Sequence, residues 1–591
     1  MKAEPPTPRS RAEPAVWLSA AGLMVGLFMI SGLLLLVAFK GLAVFWPRDV
    51  WLVSVLAENG GTERFAGSVV RVMVQRGPEH PGAVEQHYFT GNKEVYRLAF
   101  RRVEQAHLLE RELARGYWVA RRTEHGDAIF RPVSLHLGDG RRVGAEAASF
   151  AALLQQEMAA GQGRRAAILD LEKRRIPALA KVSRAGTDGQ REFQRLAAEA
   201  RLLREAQESV RLEALLASGE TRFYRLADLL RLHPAAGLDI WGRLRVFTVG
   251  LMEFLSAEPR EANTEGGVFP ALFGTFVMTL LMAMLVTPLG VLAAVYLREY
   301  ARQGWVVRIV RICVNNLAGV PSIVFGVFGL GFFVYGAGGF IDGGSSQPMP
   351  PMAWSLCALG ALACLGYASW LAMAQSAPVP GQARRAVHRR LEGALWVGGV
   401  LLLFLALVRC PYFTGFFRER LPAPTYGTGG LLWASLTLAL MTLPVVIVAT
   451  EEALAAVPHG IREAALAAGA SRWQMLHRVV LPGALPGMMT GVILAMARGA
   501  GEVAPLMITG VVKLAPALPV DATWPFLHPE RKFMHLGFHI YDLGFQSPDS
   551  EAAIPMVFAT TLLLLLLVLL LNLAAIRVRT RLRRRHQTAF F

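Results

Sequence analysis

At 591 residues, with 53% hydrophobic residues and a mean hydropathy of +0.39, the chain falls among multi-span membrane proteins, which excludes an ordinary soluble protein. Its formal net charge of +17 comes mostly from arginine, because only seven lysines occur; in a membrane protein such an excess marks cytoplasmic flanks, not nucleic-acid binding. The four cysteines, Cys313, Cys357, Cys364 and Cys410, lie in or beside apolar segments without metal-ligand spacing and read as reduced packing residues.

Residues 1–16 form a short N-terminal segment, and the first apolar run, residues 17–39 (Trp17 to Phe39), is long enough to cross a bilayer. It exceeds the apolar core of a signal peptide and is expected to be an uncleaved span. From residue 47 to 265 the sequence turns polar, with mixed charges and both periodicities, which predicts a mixed α/β soluble domain. Within it Arg191 to Leu216 has apolar residues at helical spacing, predicting a long solvated helix or short coiled coil.

Apolar segments return at Val268 to Leu297, Cys313 to Tyr335, Met352 to Ala374, Gly393 to Val408, Leu431 to Thr450, Gly487 to Val511 and Ile554 to Ile576, eight spans with the first. The fold class expected is therefore an all-α polytopic membrane protein with a mixed α/β extracytoplasmic domain after the first helix. The basic tail, residues 577–591, holds six arginines between Arg577 and His586, so it is expected in the cytoplasm, and an even span count places the N-terminus there too. The connections with Arg298, Arg302, Arg308 and Arg311, and with Arg384, Arg385, Arg389 and Arg390, then fall inside, as the positive-inside rule requires.

Residues 451–482, starting EEALAAVPHGIREAALAAG, are too polar to stay in the membrane and too helical for an ordinary connection. They predict two short helices around a turn: Pro458 and Gly460 break the first, Ile461 to Ala468 forms the second, and Gly469 permits the turn after it. A projecting helix pair suits a groove on another protein, although an amphipathic loop with no partner would show the same periodicity. Glu463, Ala464 and Ala465, Gly469 after three more residues, and Val479 to Pro482, including Leu481, match the cytoplasmic signature of ABC importer permeases, which the segment resembles. The resemblance implies the ABC importer permease fold and a loop that docks on an ATPase. No Gly-Lys dipeptide occurs, hence no phosphate-cradling loop of the G-x-x-x-x-G-K-[ST] type. The ATPase must then be a separate subunit; the chain is expected to be no enzyme and to carry no cofactor.

Residues Arg498 and Glu502, four apart in the apolar segment Gly491 to Gly510, are expected on one helix face near its middle. Ionisable groups there are costly and often line a pathway, and arginine suits an oxyanion; a self-neutralising structural pair is the other reading. Asn315, Asn316 and Ser322, around Gly319 and Pro321, can mark a kink exposing backbone to a path, and packing explains them equally. His535 and His539, one helical turn apart, suit a metal only with a third ligand and are expected in a surface loop.

The segments at 286–300, 315–335, 431–454 and 497–506 are similar, in order, to the A-type permease of bacterial high-affinity phosphate importers. That resemblance covers most of the chain from 266 onward. It implies a permease transmembrane domain at 266–576, inorganic phosphate as substrate, the bacterial inner membrane as location, and as partners a second permease chain, two copies of an ATP-binding subunit and a phosphate-binding protein. Two departures stand out: residues 345–420 insert two spans into the usual pattern, and the domain at 47–265 enlarges the N-terminal extension. A permease for sulfate or molybdate, and a membrane sensor of phosphate status, remain as alternatives.

Overall fold

The computed structural model describes residues 14–56, 60–74, 84–176, 187–374, 382–417, 424–522 and 524–587, and the side chains of Arg384, Arg385, Arg389 and Arg390 lie outside the described residues. Most of the N-terminal segment and the last four residues also lie outside them. The chain divides into two compact units, one comprising Met1–Phe269 with Leu543–Ala559 and the other Pro270–Asp542 with Thr560–Phe591.

The first unit opens with α1 (Pro14–Ala43), whose side chains are almost all exposed. Alternating segments such as VWLVSVL then build antiparallel strands: β1 (Val50–Leu56), β2 (Thr62–Val74), β3 (Val84–Phe89), β4 (Phe100–Glu104) and β5 (Leu108–Leu113) form one sheet in the order β4-β3-β2-β1-β5. Register pairs Val53 with Phe65, and both, with Tyr88 and Val103, fill a core on one face. A second sheet has the path β10-β9-β7-β6-β11, from β6 (Trp118–Arg122), β7 (Ala128–His136), β8 (Arg142–Gly144, beside β7), β9 (Arg211–Leu215), β10 (Thr221–Arg225) and β11 (Leu229–Pro234). Its core gathers Phe130, Leu135 and Leu212 against Phe150 and Leu154 of α2 (Phe150–Asp170). The fold class read from the sequence, helical spans with a mixed α/β domain, is what the structure has.

The long helix expected from Arg191 to Leu216 is α3 (Thr187–Glu208), and it packs on the continuation of α2 through Leu171, Leu196 and Ala200. It stops eight residues short of the expectation because Leu212 and Ala214 are needed in the second sheet, where both are fully buried in β9. Tertiary pairing there overrides the helical spacing. The unit closes with α4 (Ile240–Ser256), N-capped by the Asp239 carboxylate, which accepts from Gly242 N.

Among the described residues eight helices are long and apolar enough to cross a membrane, the number expected. In the second unit they include α5 (Phe269–Tyr300), α7 (Ser322–Gly343), α8 (Pro351–Met373), α9 (Leu391–Val408), α10 (Leu431–Ala455) and α12 (Arg472–Gly499). Between α5 and α7 lies α6 (Trp305–Leu317), so the span expected from Cys313 starts at Ser322 instead. Pro321, which has no N–H to give, fixes that start. Asn315 and Asn316 consequently belong to α6, where both are exposed. The inserted α8 and α9 pack on each other: Trp354 Nε1 donates to Ala406 O at 2.8 Å, and Leu365 and Cys364 lie against Gly399. All four cysteines are free thiols.

Small residues bring α10 and α12 together. A Cβ at Gly491 would lie 2.6 Å from that of Ala449, and one at Gly487 2.5 Å from that of Ala453. Where apolar side chains gain nothing by leaving lipid, such close backbone approach is what holds helices side by side.

Candidate functional site

The segment 451–482 contributes a projecting helix, α11 (His459–Ala467), between two spans. Its first expected helix is the end of α10, which runs unbroken to Ala455; Pro458 then caps α11, and Gly460 sits inside it. At the other end Gly469 adopts φ +85°, a left-handed conformation that costs an L-residue roughly 1–2 kcal/mol. It lets Ala470 N donate to Ala465 O at 3.2 Å and closes the helix. Ser471 restarts the chain with a capping box: its Oγ accepts from Gln474 N at 3.2 Å while Gln474 Oε1 accepts from Ser471 N at 2.9 Å. From there α12 continues as a span, so the expected second helix, Ile461 to Ala468, is α11 itself.

The face of α11 is divided. Glu463, Ala464, Leu466 and Ala467 are exposed, and Ala465 and Leu481 pack on a cluster of Leu454, Val457, Leu476 and Val480. Pro482 is half-buried in the foot of α12. Trp473, also exposed, stacks on His477 at 5.7 Å.

The residue that fixes α11 to the spans is Arg462, which sequence reasoning missed. It is 8% exposed. Its Nη1 donates to Val457 O at 2.8 Å and its Nη2 to Leu454 O at 2.6 Å and to Glu299 Oε1 at 3.1 Å. The guanidinium thus satisfies carbonyls that the end of α10 leaves open, placing positive charge at the negative helix end, and ties them to the end of α5. A lone arginine inside I-R-E-A-A, about a third of a turn round from Glu463, was the available signal. Nearby, Arg311 of α6 pairs with Glu451 of α10 at 3.4 Å.

Arg498 and Glu502 do meet, at 3.7 Å between Nε and Oε1, but not on one helix. Helix α12 ends at Gly499; Ala500 and Gly501 turn the chain, and a short helix follows at Ala504–Thr509. Gly499, Gly501 and Pro505 are each poor at continuing a helix, which is why the expected continuous span breaks here. Arg498 therefore sits in the last turn of α12, at the end opposite α11, with its side chain 37% exposed.

His535 and His539 are not on a surface loop. They are 0% and 2% exposed, because Phe533 and Leu536 carry this segment into the interior, where Leu536 N donates to Thr275 Oγ1 at 2.8 Å. His535 Nδ1 accepts from Gly537 N at 3.1 Å. Burial lowers their pKa values to about 3 and about 4 respectively, so both are neutral. Among the described residues no group of three or more His, Cys, Asp or Glu side chains is placed to hold a metal ion.

Residues 394–585, which take in α10, α11 and α12, match one protein family. Its description is binding-protein-dependent transport system inner membrane component. Among curated proteins the chain is 26% identical over 46% of its length to the probable ABC transporter permease protein YqgH of Bacillus subtilis. It is 26% identical over 44% of its length to the phosphate transport system permease protein PstA of Yersinia pestis, and 30% identical over 41% to that of Mycobacterium leprae. The matched stretch spans 63%, 59% and 51% of those three proteins. The chain thus has ABC permease homologues, phosphate permeases among them, over its C-terminal region, and an N-terminal extension beyond it.

Proposed function

We propose that this chain is a permease subunit of an ATP-driven importer that moves inorganic phosphate across a bacterial inner membrane, with both termini cytoplasmic. Its partners are a second permease chain, a pair of ATP-binding subunits and an extracytoplasmic phosphate-binding protein. The observation that carries the reading is α11. One side of this helix is bolted to the ends of α5 and α10 through Arg462, while the other presents Glu463, Ala464, Leu466 and, beside it, Trp473 to solvent. Such a lever passes a push from an ATPase to the spans as a rigid-body movement, and the permease homologues support it. Pro458 and Gly469 set its two ends.

At the far end of α12, Arg498 is the group suited to an oxyanion, through its planar fork of donors, and Glu502 holds it ready and offers an acceptor to a protonated oxyanion. Phosphate, which keeps a proton near neutral pH, is favoured over sulfate on that ground.

Radiolabelled phosphate uptake in cells that depend on this chain tests the reading. Arg498→Gln is expected to lower uptake at least tenfold with the chain at normal level in the membrane, and Glu463→Arg to abolish it. Normal uptake in Arg498→Gln removes the arginine from the mechanism. Phosphate uptake that ignores the chain, with sulfate or molybdate uptake depending on it, overturns the substrate. Intact uptake with phosphate signalling lost on replacing Glu463 and Gly469 makes the chain a sensor.

A further inference from the structure

Within the first unit lies a cavity of about 260 Å³ that the transport reading does not use. Its walls are largely apolar, with Phe45, Val119 and Phe254 among them, but one side carries Arg121 and Arg231. Arg231 is under-used: its Nε and Nη1 are buried without a hydrogen-bond partner, and its Nη2 reaches Glu253 only at 3.8 Å. A guanidinium has five donors, and buried donors left without acceptors are costly.

The surrounding charges do not balance it. Glu253 already receives Arg260 at 2.7 Å and Arg121 at 3.7 Å, and Asp127 is paired with Arg121 at 3.4 Å. The remaining wall carboxylate near them, Glu265, has its pKa raised to about 7 by burial, then by Asp127. Below that pH three guanidiniums, of Arg121, Arg231 and Arg260, face two carboxylates, of Asp127 and Glu253. A third wall carboxylate, Glu551, is engaged by His87 at 3.1 Å and Arg102 at 3.2 Å.

The geometry points to a binding site for a phosphate oxyanion, its charge on Arg231 and any apolar body it carries along Phe45, Val119 and Phe254. The position favours a lipid as source of that phosphate: part of the wall, Val44 to Arg48, directly follows the first apolar helix, and another part, Glu551 to Met556, lies at the start of the last. Headgroups gather at such ends. Free phosphate offers the same oxyanion without the apolar body. The site stands whatever the chain transports.

The full-length protein in detergent, titrated with dihexanoyl phosphatidic acid below its micellar concentration and separately with inorganic phosphate, tests this by isothermal calorimetry. Arg231→Gln is expected to weaken binding at least tenfold by removing the charge. Gly250→Leu does so by volume alone: Gly250 lies on the cavity wall, and a Cβ there would meet Arg231 at 3.7 Å and Phe45 at 3.8 Å, ordinary contact distances, so the backbone can accept a side chain that the cavity must house. If one variant fails to fold, the other decides. Phosphatidic acid binding at least tenfold tighter than inorganic phosphate identifies a lipid; equal affinity identifies free phosphate. No heat with either ligand, or affinity unchanged in a folded variant, overturns the site.

Discussion

The two units are held together by opposite means. The sheet-bearing unit buries large side chains, Phe65, Tyr88, Phe130 and Leu212, and knots its polar residues into ion pairs such as Arg122 with Glu94 at 2.7 Å. The helical unit leaves large apolar residues such as Leu292, Phe332 and Leu401 on its surface, and buries Gly491, Ala434, Thr437 and Thr442 at its seams. Water makes the first arrangement pay through apolar burial; lipid removes that gain and leaves close packing and carbonyl-seeking hydroxyls, as where Thr442 Oγ1 donates to Leu438 O at 2.9 Å. A substitution that adds volume should therefore be ruinous at one kind of position and harmless at another.

The largest effect expected is at the seam of α10 and α12. Gly491→Leu forces a side chain where even a Cβ meets Ala449 at 2.6 Å, and should cost about 3 kcal/mol or more and abolish the monodisperse peak in detergent chromatography. Gly144→Leu, in β8 of the other unit where nothing lies within 4 Å, should leave that peak unchanged. Equal tolerance at both positions would break the comparison.

Next comes Arg462→Met, expected to cost about 2 kcal/mol because it strands Glu299 and the carbonyls of Leu454 and Val457. The loss should be local. Hydrogen exchange should rise across 456–470 with the cores of α10 and α12 still protected, and phosphate uptake should fall at least tenfold although Glu463 is intact. Protection unchanged in that segment would show that the hydrophobic cluster alone holds α11. Gly469→Ala should cost about 1 kcal/mol through its φ of +85°, with a smaller rise in exchange over the same segment.

The span count and the division into a soluble domain and a helical body were legible because apolar runs of bilayer length have few other readings. The position of α11 was legible from Pro458 and Gly469, local rules that tertiary structure left standing. What failed was everything decided at a distance. Arg498 and Glu502 kept their spacing but lost their shared helix to Gly499, Gly501 and Pro505, residues whose effect inside an apolar run is easily outweighed by hydropathy. Arg462 went unread because its acceptors, Leu454 O and Glu299, lie on other elements. His535 and His539 looked exposed because charged residues precede them in sequence, whereas Thr275 and Gly274 of α5 receive the same segment at Leu536 and Met534. Arg231 carries no motif at all; only the fold shows that Glu253 is shared among three arginines.

The smallest effect sharpens the comparison from the soluble side, where buried charge rather than volume is limiting. Glu265 has a folded pKa of about 7 against an ordinary 4.5, the largest cause being burial, then Asp127. A carboxyl whose folded pKa is raised binds its proton more tightly in the folded state. Its penalty on stability is therefore absent below about pH 4.5, grows as pH rises between 4.5 and 7, and is complete above. The full shift corresponds to about 3 kcal/mol, and water entering the adjoining cavity relaxes this to about 1 kcal/mol. Glu265→Gln keeps the shape and removes the charge, so its thermal midpoint should match that of the wild type at pH 4.5 and exceed it by a few degrees at pH 8. Equal midpoints at both pH values would mean that Glu265 ionises freely, and the three guanidiniums beside it would then face three carboxylates.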